Sequence, residues 1–274
     1  MKLALISDIH ANLAALQATL ADIERRSVDR IVCLGNIVGH NTQPAECIAL
    51  LRSVDALCVA GNHDLAVCGR ITTRTFSSTA ARAVAWTRER LTREELRFLA
   101  SLPLRANIDN QLLAVHGALH AQSDCATVAL DNDQRRRQSF QALAADPSGA
   151  RICAFGHTRH PGIFEFHHGR AALLQEEHIR LRDGAHYLIN PGTVGQPRNF
   201  DRRASYLVFD LAQRTVTLHR VAYDASAPLA ATRKAGLTPA FSYVPAGIRA
   251  SVATGLRALR LDRPVRQFVG LFGL

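Results

Sequence analysis

The chain has 274 residues, 47% of them hydrophobic and 20% charged, enough for a sizeable core and unlike the composition of a disordered chain. No apolar run approaches the roughly 20 residues that cross a bilayer, and Met1-Lys2-Leu3 leads into a strand-like stretch rather than a signal peptide, so a soluble, cytoplasmic protein is expected. The net charge of +10 is almost all arginine, lysine occurring only at Lys2 and Lys234, and it points to anionic partners such as nucleotides, phosphorylated metabolites, nucleic acid or acidic lipid. Six cysteines without a C-x-x-C pair exclude a disulfide framework and are expected to be buried reduced thiols.

In chain order, Leu3 to Ile6 reads as a buried strand that delivers Ser7 and Asp8 at its C-terminal end. A helix follows, N-capped by Asn12, with Leu13, Leu16, Leu20 and Ile23 on one face. The strand-then-helix pattern returns at Arg30 to Leu34 with a helix near Pro44 to Leu51, and Asp55 to Ala60 is a third strand running into Gly61. A helical stretch from Thr79 to Ser101 leads to strands Leu104 to Ile108 and Gln111 to His116, joined at Asp109-Asn110. After a helix near Asp133 to Ala145, strand Arg151 to Phe155 ends at Gly156, and short strand-like segments follow around Ile163, Ala172, Tyr187, Tyr206 and Val216.

Alternating strand and helix units followed by mostly antiparallel strands imply an α/β (α+β) class: a four-layer α/β/β/α sandwich of two mixed sheets flanked by helices. One domain is expected over residues 1–243. Residues 244–274 form a basic amphipathic extension, whose stripe of Ile248, Val252, Leu256 and Leu259 docks on the domain or meets an anionic membrane or partner.

Five polar motifs each follow an apolar strand: Asp8-Ile9-His10, Gly35-Asn36, Gly61-Asn62-His63-Asp64, His116-Gly117 and Gly156-His157-Thr158-Arg159-His160. Mixed His, Asp and Asn donors suit first-row divalent metals, and glycines beside them permit close backbone approach. Phosphate-ester hydrolysis by two such ions about 3.5–4 Å apart uses this donor set.

These motifs resemble those of the calcineurin-like metallophosphoesterases, D-x-H, G-D, G-N-H-[DE], H and G-H-x-H, and the small bacterial branch in particular, through Asp8 to Leu13 and Asn190 to Arg198. The resemblance implies a metal-dependent phosphomonoesterase or phosphodiesterase of small phosphorylated molecules, nucleotides above all, acting through metal-bound hydroxide. It assigns Asp8 and His10 to the first metal, Asn62, His116 and His157 to the second, and a bridge to Asn36. His63 would assist the leaving oxygen with Asp64 orienting it. One or two ions of Mn, Fe, Zn or Ni are implied. Arg198 is a phosphate contact or a surface ion pair.

Two residues depart from the family pattern at one corner: Asn36 stands for the bridging aspartate and Arg159 for the last histidine, with His160 displaced by one. An amide bridges two dications poorly, and a guanidinium beside Asp8 balances the charge that the first ion would have balanced. The site therefore reads as a single-metal centre with Arg159 in the first seat, or as a two-metal centre restored by His160. A catalytically weakened member that binds a phosphorylated ligand or a protein is the rival to the enzyme, and nucleic-acid processing lacks a supporting motif. Among the remaining histidines, none with ligand spacing, His40 alone lies in a loop that reaches toward substrate.

Overall fold

In the computed structural model, which describes residues 1–197 and 201–237, β1 (Lys2–Ile6) runs into α1 (Leu13–Glu24), β2 (Arg30–Cys33), α2 (Pro44–Ser53), β3 (Leu57–Cys58) and α3 (Asn62–Val67). There follow α4 (Ser78–Arg88), α5 (Arg93–Ser101), β4 (Arg105–Ile108), β5 (Leu112–Val115), a 3-10 turn (Leu119–Asp124), α6 (Asp133–Ala144) and β6 (Ile152–Ala154). The last described elements are β7 (Gly162–His167), β8 (Arg170–Leu174), β9 (His178–Arg180), β10 (His186–Asn190), β11 (Ala204–Asp210), β12 (Thr215–Val221) and α7 (Ser226–Lys234). Arg198 and the extension over 244–274 lie outside the described residues.

Two six-stranded mixed sheets result, ordered β3-β2-β1-β11-β12-β9 and β4-β5-β6-β10-β7-β8. In each, parallel pairs (β1 with β2, β5 with β6) adjoin antiparallel ones (β1 with β11, β10 with β7). The period of two along β1 explains the layering: Leu3 and Leu5 enter the core between the sheets, whereas Ala4 and Ile6 face the helix side with Leu16 of α1 and Ile48 of α2. A third apolar cluster joins Leu113 and Leu188 of the second sheet to Phe140 and Leu143 of α6. This is the expected four-layer arrangement.

Asn12 caps α1 through its side-chain oxygen, which accepts from the N–H of Ala15 at 3.2 Å. The single helical stretch expected over Thr79–Ser101 is two helices. Thr92 and Glu95 form a reciprocal capping box that starts α5 afresh, a signal present in the T-x-x-E spacing but overridden by the apolar periodicity around it. The six cysteines are free thiols, five of them buried.

Asp22 of α1 ties that helix to β11, accepting from Tyr206 and from Arg25 and Arg26. Burial would raise its pKa, but those donors outweigh burial and bring it to about 2. A carboxylate with a depressed folded pKa stabilises above its unfolded value and loses that contribution as pH falls through the folded one. Asp22→Asn should therefore lower the unfolding free energy by about 1 kcal/mol at pH 7. Urea titrations of both proteins should show the difference shrinking as pH falls from about 4 toward 2.

Candidate active site

The loops that leave the C-terminal ends of β1, β2, β3, β5 and β6 converge on one rim. Hydrogen bonds lock them: the N–H of Asp8 donates to Gly35, that of His10 to Asn36, that of Gly156 to His116, and that of Gly195 to Asp8. Close approach makes two glycines obligatory. A Cβ on Gly61 would collide with the backbone nitrogen of Asn36, and one on Gly195 with the backbone carbonyl oxygen of Ile9. Asp8, His10, Asn36, His40, His157 and Arg159 all adopt φ between 50 and 68°. Asp, Asn and His tolerate the left-handed region best, so Arg159 carries the most strain and its surroundings must hold it there.

Asp8 is wholly buried at the centre. Its Oδ2 accepts from Ser7 Oγ at 2.8 Å and from the N–H of His157 at 3.0 Å. Its Oδ1 faces Asn36 Nδ2 at 3.1 Å, His10 Nε2 at 3.2 Å and Arg159 Nε at 3.5 Å. Burial would raise the Asp8 pKa, but the hydrogen bond from His10, the neighbouring His116 and the guanidinium of Arg159 hold it well below the usual carboxylate range.

Asn36 does not present the ligand expected of it. Its Oδ1 accepts the N–H of His63 at 2.9 Å, so its amino group, which cannot ligate a cation, faces the Asp8 carboxylate. The Arg159 side chain is 6% exposed and sits where the sequence pattern calls for an imidazole, its Nη2 donating to His40 Nε2 at 3.2 Å. The neighbouring His160 is exposed and its Nδ1 lies 3.2 Å from the carbonyl of Thr158, so it does not swing in to restore a second ligand.

His40 is thereby drawn into the site, which no ligand spacing announced. Its ring centroid lies 4.7 Å from that of His10 and 4.6 Å from that of His63, and the three imidazoles offer nitrogens within 4.8 Å of one another. Burial, then the fields of His40 and Arg159, depress the His63 pKa, and burial with Arg159 does the same to His10, so both rings are neutral at pH 7. Three imidazoles suit a cation, but the guanidinium against His40 and Asp8 already supplies the positive charge here. A first-seat ion does not fit the residues present.

Two of the residues assigned to the second seat, His116 and His157, adjoin. His116 Nδ1 lies 2.6 Å from the carbonyl of Leu34, which places its proton there and leaves the Nε2 lone pair 3.2 Å from His157 Nδ1. Asn62 Oδ1, opening α3, is buried without a hydrogen-bond partner, an orphan that a cation would satisfy.

Asp64 differs from expectation. Its carboxylate accepts the N–H groups of Asn36 at 2.7 Å, Gly61 at 2.9 Å and Val38 at 3.1 Å, while His63 Nδ1 has no hydrogen-bond partner. Burial pushes the Asp64 pKa up to about 7 against the pull of those amides. Asp64 positions the loops, and it does not grip the His63 ring. The Asn190 to Gly195 loop shapes the rim as expected, Asn190 Nδ2 donating to Gly156 and Thr193 Oγ1 to the Asp8 carbonyl.

Residues 1–214 match the calcineurin-like phosphoesterase superfamily domain. An uncharacterised protein of Methanocaldococcus jannaschii is 36% identical over 229 residues, 81% of this chain and 88% of its own length. The crystal structure of a metallophosphoesterase from Sphaerobacter thermophilus is 36% identical with a TM-score of 0.72, covering 87% of this chain and 95% of that one. A hypothetical protein of Pyrococcus horikoshii shares the fold at 18% identity, with a TM-score of 0.68 over 86% of this chain and 94% of its own. Among the described residues no helix is long and apolar enough to cross a membrane.

Proposed function

Since the chain belongs to the calcineurin-like phosphoesterase superfamily, a family of hydrolases, we propose that it cleaves phosphate esters of small molecules with one divalent cation and one fixed guanidinium. The cation would be held by Asn62, His116 and His157. The approach of His116 Nε2 to His157 Nδ1 at 3.2 Å carries this reading, and the buried Asn62 oxygen that lacks a hydrogen-bond partner supports it. Bound there, a divalent ion supplies Lewis acidity and charge to offset the phosphoryl oxygens.

The chain's own residues do the rest. Arg159, buried and pinned between Asp8 and His40, offers a planar donor fork to a phosphoryl group and costs no reorganisation to do so. The neutral imidazole of His63, its ring 4.6 Å from that of His40, is the group to receive or return the proton at the leaving oxygen. Asp64 keeps the Asn36 and Gly61 loops together so that His63 and Asn62 start α3 in register. Nucleotides are the substrate class we favour, on the strength of the arginine-rich composition.

Hydrolysis of p-nitrophenyl phosphate and of its bis-ester by protein supplied with Mn²⁺ tests the proposal. Activity should disappear with a chelator and return with Mn²⁺, and His157→Ala should lower kcat/KM by about 10²-fold. Exposed His160→Ala should leave it unchanged. Activity indifferent to chelation would sink the reading. Phosphate binding with negligible turnover would instead favour the weakened binding protein, which the Asn36 and Arg159 geometry also supports.

A further inference from the structure

The four strands that end the two sheets are β3, β9, β4 and β8. Three are poor templates for pairing. β3 has two residues, β9 has three with exposed His178 and Arg180, and β4 exposes Arg105 and Asn107. β8, Arg-Ala-Ala-Leu-Leu, has neither proline nor an acidic residue nor a lysine, and four of its five residues are exposed. Leu173 is 49% exposed, one of three exposed large apolar side chains among the described residues. An apolar edge of this kind, which no described strand covers, invites another strand.

We propose that β8 pairs antiparallel with the β8 of a second copy, making a symmetric dimer in which the second sheet of each protomer continues into the other. The backbone fixes which groups are available. β7 and β8 close through His167 opposite Arg170, across a two-residue turn with φ of 47° at His168 and 76° at Gly169. In such a turn the closing pair is hydrogen-bonded, so Arg170, Ala172 and Leu174 bond to β7. Ala171 and Leu173 turn their N–H and C=O away from it, toward no described strand.

Outward groups must face outward groups across the two-fold, which restricts the registers. With Leu173 opposite its own counterpart, Ala171 meets Gln175 and Arg170 meets Glu176 of the other copy, twice by symmetry. Arg170 and Glu176 have no ion-pair partner among the described residues. Shifting the register toward the turn sets Arg170 against Leu174 and leaves both charges unmatched. Charge complementarity therefore selects a second copy in this register over an unrelated strand.

Sedimentation velocity of the full chain at about 10–100 µM, the range expected for a modest interface, tests this. The wild type should sediment at twice the 29.9 kDa chain mass. Leu173→Lys, which sets two ammonium groups face to face on an exposed position, should weaken dimerisation at least tenfold. Arg170→Glu should do the same, and Arg170→Glu with Glu176→Arg should restore the dimer, a rescue that misfolding cannot imitate. A monomeric wild type, or single variants that remain dimeric, would overturn the proposal.

Discussion

Replacing Asn36 by Asp and Arg159 by His in the same chain should raise the bound metal from one ion per chain to two. Asp at position 36 keeps an acceptor for the His63 N–H, which Asn36 Oδ1 now receives at 2.9 Å, and turns its other oxygen to the place where the Asn36 amino group faces Asp8. Histidine at 159 removes the guanidinium that stands 3.5 Å from Asp8 Oδ1 and supplies a ligand. Neither change should suffice alone. Asn36→Asp gives Arg159 a second carboxylate to pair with and fastens it in place, whereas Arg159→His leaves an ion with Asp8 as its one carboxylate. The two effects are thus strongly non-additive, as expected of residues in contact. Metal analysis by inductively coupled plasma mass spectrometry should read two ions only in the double variant, whose turnover of an aryl phosphate should rise by about 10²-fold.

Inorganic phosphate should tighten Mn²⁺ binding to the wild type by about 10- to 100-fold, a coupling of about 1–3 kcal/mol. Asn62, His116 and His157 are all neutral donors, and the nearest carboxylate, Asp8, already faces Arg159. A dication in that seat keeps its charge uncompensated beside the buried His116, where such charge is costly. A phosphate anion offsets that charge and meets the guanidinium at the same time, so each ligand favours the other reciprocally. Isothermal titration with Mn²⁺, with and without saturating phosphate, measures the coupling. Arg159→Met should raise the affinity for Mn²⁺ alone, because Asp8 is then free to compensate it, and should shrink the coupling toward unity. Equal affinities with and without phosphate would contradict this charge accounting.

Much of this was legible in the sequence because the polar motifs follow directly from strands. β1 must end near Ile6 and β2 near Cys33, and parallel neighbours bring their C-terminal ends to one rim, so Asp8 and Asn36 had to meet, whereas His157 reaches Asp8 from β6 of the other sheet, through its backbone N–H. Local signals also held: Asn12 precedes an apolar stripe and caps α1. What stayed hidden depends on tertiary detail. His40 meets Arg159 from 119 residues away, through a loop turned by Gly39 at φ 86° and by His40 itself at φ 68°, and no periodicity encodes that turn. The orientation of the Asn36 amide is set by one backbone N–H of His63, which spacing does not reveal. For the same reason Asp64, expected to orient His63, instead gathers three backbone amides. Short β9 carries too few residues for a pattern to rise above its surroundings.

Crystals grown with Mn²⁺ and measured at the manganese absorption edge show directly how many cations the site holds and where. A single anomalous peak is expected among Asn62, His116 and His157, with the Arg159 guanidinium against Asp8. A second peak of comparable height between Asp8 and His10, with Arg159 swung out of the site, would contradict it.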